Sequence, residues 1–287
     1  MNAQSLSIVV PNKACINNCK FCVARMYESK FIDQLDSNKK FYDLYLEDYR
    51  KRIEFARDNG CNTVMLTGDS EPQQNRRFLE LFGIINNELE KPFRCIEMQT
   101  TGVLLDEDYL RFLRSHVGVT TISLSISSFN DEENRDIIQT KFPLQLKELC
   151  KIIKRRDFNL RLSLNMTSAF NNYTADDIFK ISKKLGADQI TFRIMYSSLM
   201  NTEQDKWLGE HTCKAELISR INKYITSNGT FLEKLDFGAE RYSVNEMSVV
   251  VDNDCMNVSA RDVLKYMVLY PNCKLYSKWN DKGSLIF

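Results

Sequence analysis

Along this chain, compact runs of aliphatic and β-branched residues alternate with longer stretches whose apolar residues recur at helical spacing. Residues 6–10 (Leu-Ser-Ile-Val-Val), 63–67, 94–99, 120–126, 159–165 and 189–193 read as strands. Between them, Tyr42, Tyr45, Leu46, Tyr49, Ile53 and Ala56 form a helical stripe that stops before Asn59-Gly60. Phe78, Leu81, Phe82, Ile85 and Leu89 mark a second helix, and Asp106 is placed to cap a third that carries Leu110 and Leu113. Pro143 is read as the first residue of a fourth helix, with Leu146, Leu149 and Ile153 on its apolar side. Thr174-Ala-Asp-Asp177 has the form of a capping box for a fifth helix, which Gly186 ends. Thr212 is read as the start of a sixth, bearing Leu217, Ile218, Ile221 and Ile225.

Six strands separated by helices are the cadence of successive right-handed βαβ units. The spacing alone fits an open doubly wound sheet as well as a barrel. After residue 227 the pattern changes: residues 247–251 are strand-like, and 263–279 read as two strands joined at Pro271-Asn272. The expected organisation is therefore a core over residues 1–227 and a β-containing extension over 228–287.

Composition narrows the class. Of 287 residues, 43% are hydrophobic and 27% charged, with 10 Gly and 5 Pro, which excludes collagenous and disordered chains. Lys plus Arg (39) nearly balance Asp plus Glu (38), which argues against a large nucleic-acid footprint. The clusters Arg50-Lys-Arg52 and Lys154-Arg-Arg156 fall on predicted helices, where solvated charge explains them. The apolar run near the N-terminus is too short for a signal peptide or a membrane span, so a cytoplasmic protein with no membrane partner is expected.

Nine cysteines without a secretory signal point to thiols or metal ligands and not to a disulfide framework. Cys61, Cys95, Cys150, Cys213, Cys255 and Cys273 stand apart and read as small buried hydrophobes. Cys15, Cys19 and Cys22 form a C-x3-C-x2-C run directly after the first strand. A structural zinc site would need a fourth ligand, and neither His116 nor His211 is close in sequence. Three thiolates on one loop suit a [4Fe–4S] cluster with one iron left open to chemistry. A non-catalytic metal-binding or redox-sensing role stays open on these residues alone.

With Phe21 in the aromatic position before Cys22, the run resembles the signature of the radical S-adenosylmethionine (SAM) superfamily. The resemblance implies an α/β fold, a partial (β/α)6 TIM-like barrel over roughly residues 5–227, with active-site groups at the C-terminal ends of its strands. It implies a [4Fe–4S] cluster held by Cys15, Cys19 and Cys22, with SAM as second cofactor. The segment Gly68-Asp-Ser-Glu71-Pro resembles the family's glycine–glutamate–proline segment, which makes Gly68 and Glu71 SAM contacts. Gln99 and Thr100 at the third strand end, Ser125 and Ser127 at the fourth, and Asn165 at the fifth join them by the same likeness. Arg193 is the lone charge in its strand and should face a carboxylate, from SAM, from an acidic substrate or from a neighbouring Asp or Glu in a structural salt bridge.

The chemistry implied is reductive cleavage of SAM to a 5′-deoxyadenosyl radical that takes hydrogen from a small-molecule or peptide substrate, with a one-electron donor such as flavodoxin or ferredoxin. An activase that makes a glycyl radical on a partner enzyme is the alternative within that chemistry. The extension lacks clustered cysteine pairs for an auxiliary cluster, and its expected role is to close the barrel's open side or bottom, with Tyr266, Tyr270, Tyr276 and Trp279 packing there.

Overall fold

The computed structural model describes residues 3–27, 35–235, 238–252, 264–279 and 281–287. The six expected strands are present: β1 (Ala3–Val9), β2 (Thr63–Thr67), β3 (Cys95–Thr100), β4 (Thr121–Ile126), β5 (Asn159–Asn165) and β6 (Gln189–Arg193). Each pairs in parallel with the next. The helices that return the chain between them are α1 (Leu46–Asp58), α2 (Arg76–Glu88), α3 (Glu107–Phe112), α4 (Asp131–Ile138), α5 (Leu146–Arg155) and α6 (Ala175–Lys184). Then follow α7 (Glu203–His211), α8 (Ala215–Asn228), β7 (Thr230–Lys234), β8 (Glu240–Val244), β9 (Met247–Asp252), β10 (Leu264–Leu269) and β11 (Leu275–Tyr276).

Among the described residues these strands form one sheet in the order β11-β10-β1-β2-β3-β4-β5-β6-β9-β8-β7. The segment after α8 therefore does not stand apart. β9 adds to β6 and β10 adds to β1, both in parallel, so eight parallel strands curve around one interior. The flanking strands β11 and β7 do not pair with each other, and the barrel is partial. Side chains reach where the backbone does not: Lys265 of β10 grips both carboxylate oxygens of Asp252 of β9, at 2.7 and 2.8 Å. Tyr266 and Tyr270 pack edge-on against Trp279, with ring centroids 6.1 and 5.8 Å apart.

The helix starts obey local chemistry. Asp106 accepts from the Tyr109 amide, and Thr174 with Asp177 makes the reciprocal capping box. Two expected starts are corrected. The helix assigned to Pro143 begins at Leu146, because the Leu146 amide is taken by the Asp131 carboxylate of the neighbouring α4. Thr212 ends α7 instead of starting α8; its hydroxyl folds back onto the Leu208 carbonyl at 2.6 Å. The first stripe begins with a 3-10 turn over Tyr42–Tyr45 before α1. α4 and α7 escape the periodicity because each buries little: Asn134, Ile137 and Ile138 in one, Leu208 in the other. Asn130 and the Thr202–Asp205 box start these two helices.

Cys61, Cys150, Cys213 and Cys273 are buried as expected; Cys95 is exposed, because it heads β3 with its side chain toward the barrel interior; Cys255 lies outside the described residues. One close approach sets the helix layer. A Cβ on Gly83 of α2 would lie 2.0 Å from the His116 carbonyl oxygen and 3.0 Å from the Val117 Cα. Both are backbone atoms and cannot rotate away. Gly83→Ala is thus expected to cost about 3 kcal/mol, read as a lowered urea midpoint at unchanged slope.

Candidate active site

The parallel strands aim their C-terminal ends at one rim, where catalytic groups gather in such barrels. The loop after β1 carries Cys15, Cys19 and Cys22, and neighbouring segments hold it on two sides. On one side, Asn12 Nδ2 donates to Ser70 Oγ (2.8 Å) and to the Glu71 carbonyl (3.0 Å), and the Ile16 amide donates to Gln74 Oε1 (3.1 Å). Gln74 Nε2 returns a bond to the Ala14 carbonyl at 2.9 Å. On the other, the Asn18 and Lys20 amides donate to the Ile138 and Ile137 carbonyls, C-terminal acceptors of α4 that the helix itself leaves without a partner. Satisfying the backbone this way leaves the three sulfurs as the loop's chemical content.

Burial pushes all three thiols above their ordinary pKa. For Cys19 the neighbouring Cys22 and Cys15 add to the rise, so the sulfurs sense one another as charges. The Asn17 amide donates to Cys15 Sγ at 3.4 Å. Arg25, whose guanidinium also donates to the Asn17 carbonyl, pulls Cys22 the other way. The described residues gather no set of three His, Cys, Asp or Glu side chains as ligands of a single metal ion; the three thiols are spread along one loop. A purely sulfur donor set, mutually coupled and beside an open interior, fits an iron–sulfur cluster that takes one thiolate per iron.

Glu71 is buried outside the cavity lining, at 4% exposure. Its Oε1 accepts from the Thr101 amide (2.9 Å), Thr101 Oγ1 (2.6 Å) and Asn17 Nδ2 (3.3 Å), and its Oε2 accepts from Thr100 Oγ1 (2.6 Å). One carboxylate thus ties the end of β3 to the cysteine loop. Burial raises its pKa, and the four hydrogen bonds hold it down in part. Thr100 is turned to this carboxylate as well. Ser127 is fully buried, and its Oγ accepts from Asn165 Nδ2 at 3.3 Å, joining the ends of β4 and β5. Phe21 packs 6.1 Å from Trp207 of α7. Ser125 is half-buried and lies beside Ser163 in the register.

Gly68, Gln99 and Arg193 line a cavity of about 880 Å³ that fills the barrel interior. The size is near the top of the usual range for small-ligand sites, roughly 300–1,000 Å³. Gly68 has φ +154°, and a Cβ there would sit 3.4 Å from the Val10 amide nitrogen, so its bare backbone edges the cavity next to the cysteine loop. Val23 and Ala24, directly after Cys22, line the same space.

The interior also holds residues that sequence reasoning passed over. Glu97, almost fully buried, pairs with Arg161, and Arg161 Nε and Nη2 donate to Gln189 Oε1 at 2.8 and 2.5 Å. Gln99 Nε2 donates to Glu97 Oε1 at 3.1 Å. Asp252 and Lys265 complete a second matched pair. A charged residue inside an alternating strand was the available signal for Arg161, Glu97 and Lys265, as it was for Arg193.

Taken together, the partial parallel barrel with a three-cysteine loop after its first strand defines a cluster-bearing α/β enzyme scaffold. The family model of the radical SAM superfamily matches residues 9–185, and the chain belongs to that superfamily. Solved structures share the fold. Native anSMEcpe with bound AdoMet aligns with TM-score 0.62 at 14% identity, over 97% of this chain and 76% of that one. Coproporphyrinogen III oxidase (HemN) from Escherichia coli, described as a radical SAM enzyme, aligns with TM-score 0.54 at 16% identity, over 80% of this chain and 54% of that one. Native anSMEcpe with bound AdoMet and Cp18Cys peptide gives 0.53 at 15% identity, over 79% and 59%. In the last two comparisons, the matched region spans less than two thirds of the other chain's length. Comparison with curated protein sequences finds no match. As a member of that superfamily the protein is a radical SAM enzyme, and the family implies a [4Fe–4S] cluster and SAM as its cofactors. Among the described residues, no helix is long and apolar enough to cross a membrane.

Proposed function

We propose that the enzyme acts on a small molecule held inside the barrel, and the observation that carries this reading is the polar interior cavity next to the cysteine loop. When bound to Cys15, Cys19 and Cys22, the reduced cluster supplies the electron that cleaves SAM to methionine and a 5′-deoxyadenosyl radical. The chain's own residues orient and enclose. Gly68 presents bare backbone where SAM approaches the loop, and Gln99, steadied by Glu97, offers its amide from the next strand. Glu71, Thr100, Ser127 and Asn165 hold the strand ends and the loop in place behind that surface. Tyr266, Tyr270 and Trp279 wall the cavity on the side of the C-terminal strands and keep water and stray hydrogen donors from it.

The small-molecule reading rests on the lining of the interior. Ser5, Ser7, Thr63, Thr191, Ser163 and Ser248 line the interior with hydroxyls, which suit a polar ligand of limited size better than an extended peptide. The structural neighbour bound to a Cp18Cys peptide keeps peptide substrates as the comparison. The test is anaerobic reconstitution followed by SAM and dithionite. Cluster-dependent 5′-deoxyadenosine is expected. Its absence from iron-loaded protein that does not bind SAM would overturn the reading.

A further inference from the structure

We infer that Arg193 anchors an acidic group of the substrate, so that the substrate is a small polar anion carrying a carboxylate or a phosphate. The inference rests on the radical SAM reading above.

The argument is one of charge matching inside the cavity. Of the cationic side chains lining it, Arg161 is paired with Glu97, Lys265 with Asp252 and Arg241 with Glu233. Lys234 belongs to β7, which is exposed throughout. Arg193 differs: its guanidinium makes no hydrogen bond or ion pair with any described residue; its Nε is buried without a partner, as is the Nε of the otherwise paired Arg241. A half-buried guanidinium in a cavity wall is favoured by an anion, and a carboxylate or phosphate satisfies its planar fork with two parallel bonds.

Position sets Arg193 apart from the segment that, by family likeness, receives the SAM amino group. That segment begins at Gly68 after β2, whereas Arg193 ends β6, four strands further along the curved sheet in the order β2-β3-β4-β5-β6. Its register neighbours are Asn165 of β5 and Asp252 of β9. β9 and β10, which bring Asp252, Lys265, Tyr266 and Tyr270 to this part of the cavity, come from the C-terminal segment beyond the region that the family model matches. This part of the cavity is therefore built in part from the C-terminal segment, with Arg193 on the adjoining strand.

The test uses the reconstituted protein saturated with SAM, titrated calorimetrically with pairs that differ only in charge. Ribose and ribose 5-phosphate probe the phosphate; glucose and gluconate probe the carboxylate. At least one anion is expected to bind about tenfold or more tightly than its neutral partner, and whichever pair discriminates identifies the group. Arg193→Gln should erase the discrimination while SAM affinity stays within about twofold, and Arg193→Lys should recover part of it. Retained SAM affinity also shows that the variants fold. Equal binding of charged and neutral partners, discrimination that survives Arg193→Gln, or no binding by either anion overturns the inference. So does loss of SAM affinity in Arg193→Gln, which would assign the residue to the cofactor. Failure of the unmodified protein to bind SAM is a different result and strikes the radical SAM reading itself.

Discussion

Cys19→Ser is expected to abolish 5′-deoxyadenosine formation and reduce bound iron to background. Cys19 is the most enclosed of the three loop thiols: it packs against the hydrophobic core, and both other thiols raise its pKa. The substitution replaces a soft thiolate with a hard oxygen donor that iron–sulfur clusters hold poorly. The loop keeps its course in the variant, since the amides of Ile16, Asn18 and Lys20 are bonded to Gln74, Ile138 and Ile137. Iron content and the 5′-deoxyadenosine assay, performed side by side, check the result. The matched control is Cys61→Ala or Cys150→Ala. Burial pushes both of those thiols up to about 12, the behaviour of inert apolar filler, and each variant should keep its iron while losing some stability. Iron retained by Cys19→Ser, or lost by the controls, would remove the loop from its assigned role.

Glu71→Ala is expected to destabilise the protein by about 3 kcal/mol and to lower the yield of cluster incorporation. The figure follows from which donors are stranded. Thr100 Oγ1 still reaches Gln73 Oε1 at 3.0 Å, and Asn17 Nδ2 still reaches Thr101 Oγ1 at 3.0 Å. The Thr101 amide and hydroxyl lose their acceptor outright, at roughly 1–3 kcal/mol for each buried unmet group, while loss of a buried charge gives part of that back. Glu71→Gln retains an acceptor for Thr101 and should cost less than about 1 kcal/mol. It also isolates a pH effect. The folded-state pKa of Glu71 lies above its ordinary 4.5, so between the two values the folded state binds the proton more tightly than the unfolded one. Its contribution is fully present below the unfolded pKa and is lost as pH rises through the folded one. The stability of the unmodified protein minus that of Glu71→Gln should therefore fall as pH rises from about 4.5, and then level off. A difference that rises with pH would show that the four hydrogen bonds outweigh burial.

Much of this was legible in the sequence because local rules governed it. The strands from 63–67 to 189–193 declare themselves through runs and alternation, while their sequential order, which a doubly wound sheet would not share, came only with the family resemblance. The cysteine loop is a spacing pattern, and three ligands fixed on one loop need no tertiary information to be recognised. Arg193 stood out as a lone charge in an apolar strand, a costly placement without a partner. α4 and α7 were invisible because caps and side-chain hydrogen bonds define them more than an apolar face does.

Tertiary structure decided the rest. β9 and β10 look alike as local sequence, yet one joins β6 and the other joins β1; parallel pairing is set by long connections and not by residues near in sequence. Only that placement brings Asp252 against Lys265 and seats Tyr270 and Trp279 at the cavity. The same holds for Glu71, whose partners lie 29 to 54 positions away: a motif marks such a residue, but only packing shows that its carboxylate turns inward to fasten the cysteine loop. The sequence by itself determined the repeating units and the ligands, because those depend on neighbours within a few residues. The interior, its charge pairing and the unmatched Arg193 belong to the folded sheet, because they depend on which strands meet.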